Sequence, residues 1–150
     1  MPAAGIHPHA AEVIHRMRRD LRHRQYGKTI DEWIAAVPRE LPVDAVGLWQ
    51  IVPAGRDGFG LAGTELVEFV RACLLVLLAN GAKPVIGASD NLHIWQIVYY
   101  GDTSEQIADA VIAEWQRSGN EPDAGGIWFA LPHIYEQTDL NNGRDKNRFS

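Results

Sequence analysis

One cysteine among 150 residues leaves Cys73 without a partner inside the chain, so no internal disulfide framework holds this protein together. Cys73 lies in the apolar run Ala72–Ala79, where a reduced, buried thiol is expected. Long hydrophobic runs are also lacking. That run is eight residues long, and a bilayer span needs roughly 20. The N-terminal stretch MPAAGIHPHAAEV has no apolar block behind a basic start. No secretory signal is read there, and a cytoplasmic protein without a membrane partner is expected. Charged residues are few, at 22% against 46% hydrophobic. A chain of this length can bury roughly 70% of its unfolded surface around one core, so residues 1–150 are read as a single domain.

Positive charge is scarce in the body of the chain. Residues 29–140 hold five basic and sixteen acidic side chains, a net −11, whereas residues 1–28 carry +4 and residues 141–150 carry +2. An acidic body repels phosphate backbones and attracts cationic partners, so nucleic acid is an unfavoured partner. The basic stretch Glu12–Arg24 places Ile14, Met17 and Leu21 on one helical stripe with arginines around it. It reads as a solvated face, or one docked on the acidic body of the same or another copy.

The tetrapeptide WQIV is present twice, at Trp49–Val52 and Trp95–Val98. A glycine-rich loop, a helical stretch from Thr64 to Asn80 and the apolar run Pro84–Gly87 follow the first copy. A helical stretch from Asp102 to Ser118 and the apolar run Gly126–Leu131 follow the second. Both halves therefore read strand, helix, strand, as in an internal repeat. The strands are expected at Val46–Val52, Pro84–Gly87, Leu92–Tyr100 and Gly126–Leu131, from their β-branched and aromatic content. Ser89-Asp-Asn91 suits a hairpin turn between the second and third. Asp102 with Glu105 resembles a capping box, and Gly119 a helix stop.

The resulting order, βαββαβ, predicts an α+β fold of ferredoxin-like type: a four-stranded antiparallel sheet with two helices on one face and the first and third strands central. The core would span 41–132. Before it, 1–40 would form a helical extension: one helix from His9 to Arg24, and a second opened by the Thr29–Glu32 capping box and ended before Pro38. Residues 133–150 read as a polar tail.

GFGLAG, Gly58–Gly63, has the G-x-G-x-x-G spacing of a dinucleotide turn. Its surroundings do not fit that use. Pro53–Asp57 separates it from the preceding strand, and no acidic residue follows about 20 positions on. No cofactor is expected. The segment reads instead as a long flexible loop before a helix N-terminus, with Arg56, Gly58, Gly60, Gly63 and Thr64 as candidate contacts for an anion or carboxylate.

Alternation along the strands places Trp49, His93, Trp95, Tyr99 and Trp128 on one sheet face, with Trp49 beside Trp95 and Gln50 beside Gln96. The more aliphatic face is expected under the helices. The aromatic one is then a candidate surface for a protein or a small ligand, or for a second copy in a homodimer. Base stacking on such a face is disfavoured by the acidic body and by the lack of basic and glycine positions in NLHIWQIVYY. His7, His9, Glu12 and His15 match no defined metal motif, and no metal is expected. His93 or His133 is the candidate base if the chain is a small enzyme. The preferred expectation is a non-enzymatic binding or regulatory module.

Overall fold

The structure is a computed structural model that describes residues 21–87 and 94–136. It is a mixed α+β fold with a four-stranded antiparallel sheet. The helix expected from His9 falls almost wholly outside the described residues. Its last part, 21–24, is not helical. Arg22 and Thr29 pair across a turn, and the N–H of Arg24 donates to Gly58 O at 2.7 Å. Helix α1, Ile30–Ala36, then starts at a capping box. Thr29 Oγ1 accepts the Glu32 N–H at 3.1 Å, and Glu32 Oε1 accepts the Thr29 N–H at 2.9 Å. A 3₁₀ turn, Val37–Glu40, carries the chain past Pro38.

Strand β1 is only Val46–Gly47, and the first WQIV is not a strand. Helix α2, Leu48–Pro53, takes it up, burying Leu48, Ile51 and Val52 and leaving Trp49 and Gln50 exposed. Those buried positions fall at i, i+3 and i+4, the helical period. Gln50 Oε1 also accepts the Gly47 N–H at 2.8 Å, which satisfies a donor at the helix start. The first part of the expected flexible loop is likewise structured: Ala54–Gly58 continues α2 as a π-helical turn, and 59–62 is irregular.

Helix α3, Gly63–Ala79, is the centre of the molecule. It is apolar on most sides and packs against α1, α2, the π turn and helix α4, Ser104–Ser118. Arg71 interrupts its apolar surface. The guanidinium, 8% exposed, donates from Nε to Asp109 Oδ1 of α4 at 2.8 Å, which ties the two helices together. Helix α4 is capped by Thr103 with Gln106, not by Asp102 with Glu105. It ends at Gly119, whose φ of +66° suits a residue without a Cβ.

Strands β2, Lys83–Gly87, β3, Trp95–Ile97, and β4, Trp128–Ala130, complete the sheet. The order is β1-β4-β2-β3, with every neighbouring pair antiparallel. The expected ferredoxin-like order is therefore corrected. The second and fourth strands are central, and the first and third are opposite edges. The physical reason lies at α2. Once the chain turns helical at Leu48, β1 is two residues long and serves only as an edge partner of β4. The two WQIV copies form no structural repeat.

The sheet has two distinct faces. Register and alternation place Val46, Phe129 and Ile86 on one, where they join α3, α4 and the partly buried Val98 in the main core. Gly47, Trp128, Val85 and Ile97 form a row across the other, with Ala130, Lys83, Gly87 and Trp95 beside it. A smaller cluster gathers there around Ala45, Val85, Ala130 and Tyr135, with Ile134 packed against it. Tyr135 and Ile134 come from a short helix at 132–136. Among the described residues, no helix is long and apolar enough to cross a membrane.

Candidate functional site

Three of the five tryptophans meet on the face away from α3 and α4. Trp128 projects from β4, a central strand. The Trp95 ring, from the edge strand β3, packs edge-on against it at 5.5 Å between centroids. The Trp49 ring packs on it at 6.0 Å. Trp49 and Trp95 are thus not on adjacent strands, as expected from sequence, and they are joined through Trp128. Trp49 arrives from α2 by folding back over β1. A Cβ at Gly47 would lie 2.5 Å from its Cδ1, so this contact requires glycine there. The Trp128 Nε1–H donates to Ala124 O at 2.8 Å, fixing the central ring. Trp49 is 37% exposed and Ile97 49% exposed. Edge-to-face packing of this kind adds about 0.5–1.5 kcal/mol per pair beyond area burial.

The other expected members of this face are dispersed. His93 lies outside the described residues. Tyr99 is 75% exposed just past β3, and its hydroxyl donates to Asp102 at 2.9 Å. That hydrogen bond to a carboxylate raises its pKa. Gln50 and Gln96 are apart as well: Gln50 caps α2, and Gln96 pairs with Ile86 on β2. The ring of His133 is exposed, and its Nε2 contacts Pro42 O at 2.7 Å.

The glycines of GFGLAG and its approach serve either close packing or a left-handed backbone. A Cβ at Gly55 would lie 2.6 Å from the Phe69 ring, and one at Gly58 would lie 2.2 Å from the ring of His23. Gly60 and Gly63 have φ of +73° and +57°. Thr64 is exposed in the first turn of α3. Arg56 is not held open for an anion. It makes a bidentate pair with Glu121 at 2.7 and 2.9 Å and a second with Asp57 at 3.0 Å. Its pKa is raised by the bonds to Glu121 first and Asp57 second.

The same segment buries a histidine that the sequence did not single out. His23 Nδ1 accepts N–H bonds from Gln25 and Tyr26 at 3.0 and 3.2 Å, and its ring packs on Phe59 and Tyr26. Burial lowers its pKa, and the two donors to Nδ1 require that nitrogen unprotonated.

A second feature lies on the helix side of the sheet. A cleft of about 510 Å³ opens between α4 and the end of the β2–β3 pair. Leu48, Ile86, Val98, Val111 and Ile127 form its floor, with Tyr100 and Trp115 also lining it. Glu114, Glu121 and Asp123 line it as well. The Tyr100 hydroxyl donates to Glu114 at 2.7 Å, and burial first, then this bond, raises its pKa. Sequence reading missed this cleft because its residues come from five separate segments. The one local signal was the run of acids Glu114, Glu121 and Asp123.

Comparison with protein-family models, curated proteins and solved structures finds no match. Among the described residues, no group of three or more His, Cys, Asp and Glu side chains is placed to hold a metal ion. His7, His9, Glu12 and His15 lie outside them. Cys73 is fully buried, and desolvation pushes its thiol pKa up, away from nucleophilic use.

Proposed function

We propose that this chain is a non-enzymatic binding module: an acidic body that engages a protein partner through its tryptophan-bearing sheet face, in the first instance a second copy of itself. The observation that carries the reading is the continuous run Trp49–Trp128–Trp95 with the half-exposed Ile97 beside it. Exposed apolar patches of this kind mark interaction surfaces. Tryptophan is enriched among residues that dominate binding energy, because it offers a large rigid area at little entropic cost.

Charge favours a second copy. The strand residues of this face are Gly47, Lys83, Val85, Gly87, Trp95, Ile97, Trp128 and Ala130, of which only Lys83 is charged. Two acidic chains meeting here would bring no strand carboxylates together, and a two-fold contact would use the same patch twice. Sedimentation velocity over a range of concentrations tests this. The expected result is a wild-type dimer that Ile97→Asp and Trp49→Ser each shift to monomer while far-UV circular dichroism stays unchanged. A wild-type chain that is monomeric throughout removes the second copy as partner. A dimer untouched by both substitutions moves the interface off this face.

A further inference from the structure

The cleft beside α4 lies on the opposite side of the sheet from the tryptophans, and nothing in the dimer reading uses it. Its volume of about 510 Å³ falls in the range that holds small molecules. Its floor is aliphatic, which suits an apolar ligand body. Its charged groups are of one sign, beside the neutral Ser118 and Asn120. Glu114, Glu121 and Asp123 line it, and no lysine or arginine does so among the described residues. Arg56 reaches Glu121 from outside, yet Asp57 shares that guanidinium, so the group as a whole stays negative.

We propose that this cleft binds a small organic cation, an ammonium group carried on an apolar body. The ammonium would sit between Glu114 and Asp123, against the rings of Tyr100 and Trp115, where carboxylate attraction and the ring quadrupole act together. The Tyr100 hydroxyl already orients Glu114, at 2.7 Å. Asp123 is held by the Gly125 N–H at 2.9 Å. Both carboxylates are therefore positioned before a ligand arrives, which reduces the ordering cost of binding. Arg56 is an internal precedent: a guanidinium from a distant segment is already bound at Glu121. An anion would meet these carboxylates with no compensating cation among the described lining residues, only the neutral Ser118 and Asn120, and a neutral ligand would leave the carboxylates unused. The inference does not depend on what the tryptophan face binds.

The test is an amide NMR titration of the full chain with phenethylammonium, its neutral analogue 2-phenylethanol and the anion 3-phenylpropionate. Phenethylammonium should shift amides of 98–100 and 114–127 and bind about fivefold or more tighter than the alcohol. Raising salt from about 0.05 to about 0.5 M should erode that preference. The double variant Glu114→Gln, Asp123→Asn keeps an acceptor oxygen at each position. It should weaken the cation about tenfold and leave the alcohol unchanged. Equal or tighter binding of the alcohol or the anion overturns the proposal. So does a double variant that keeps the full preference, or a cleft that none of the three probes perturbs.

Discussion

The two faces of the sheet, built from the same four strands, differ in how they are covered. On the helix side, Phe129 and Val46 are buried beneath α3 and α4 and share a core with Phe69 and Leu74. One residue along from Phe129, on the opposite face, Trp128 stacks between Trp49 and Trp95 under partial cover from Tyr135 and Ile134. Neighbouring positions on one strand thus differ in burial: Phe129 is fully buried and Trp128 only partly. The closed face supplies folding energy, because Val46, Pro84 and Phe129 on it leave water. The open face keeps large rings half in water, a poor use of apolar area for stability and a good one for recognition.

That contrast can be broken by substitution. The largest effect is expected at Phe129→Ala, which empties a fully buried site at about 3–5 kcal/mol. Trp95→Ala, on the open face, should cost roughly half of that or less, since its ring is only partly buried. Urea denaturation of both variants checks the difference. Next is Gly47→Ala. The new methyl would occupy the space of the Trp49 indole, so the ring must swing off Trp128 at about 1–3 kcal/mol. A changed tryptophan emission spectrum should accompany the loss.

Acidification gives a smaller effect that lies outside both faces. His23 is held neutral with a pKa below its unfolded value of 6.5. The unfolded chain therefore binds more protons at low pH, so stability is fully present above about pH 6.5 and falls below it, through the folded pKa. The denaturation midpoint should drop between pH 7.5 and pH 5, and His23→Gln should flatten that drop. The smallest effect is expected at Ile97→Ser, within about 0.5 kcal/mol of wild type, because the side chain is half exposed. A loss above about 2 kcal/mol there, measured at a concentration where both chains are monomeric, would show the open face to be core.

The two copies of WQIV show what the sequence made legible. In the second copy, Trp95 and Ile97 alternate with Gln96 against a real partner strand, and period two holds. In the first, the surrounding residues decide. Leu48, Ile51 and Val52 follow the helical period, Gln50 caps Gly47, and β-branched content was the weaker signal. Capping at Thr29–Glu32 and the stop at Gly119 were readable because their chemistry lies within four residues. The strand order was not readable. β4 pairs with both β1 and β2, and no local pattern encodes which distant strands meet. Placement of Trp95 and Trp128 on one face followed from alternation alone, although the assumed neighbour, Trp49, reaches them from a helix. The acidic cleft escaped for the same reason as the strand order: Tyr100, Glu114 and Asp123 come together only in the fold.

The central claim is that the open face exists to be covered by a partner. Hydroxyl-radical footprinting of the purified chain over a concentration series tests it directly, with Trp33, which packs on Phe69 of α3, as the internal reference. The account predicts that the reactivity of Trp49 and Trp95 falls as concentration rises while that of Trp33 stays constant. Unchanged reactivity of Trp49 and Trp95 across the series would contradict it.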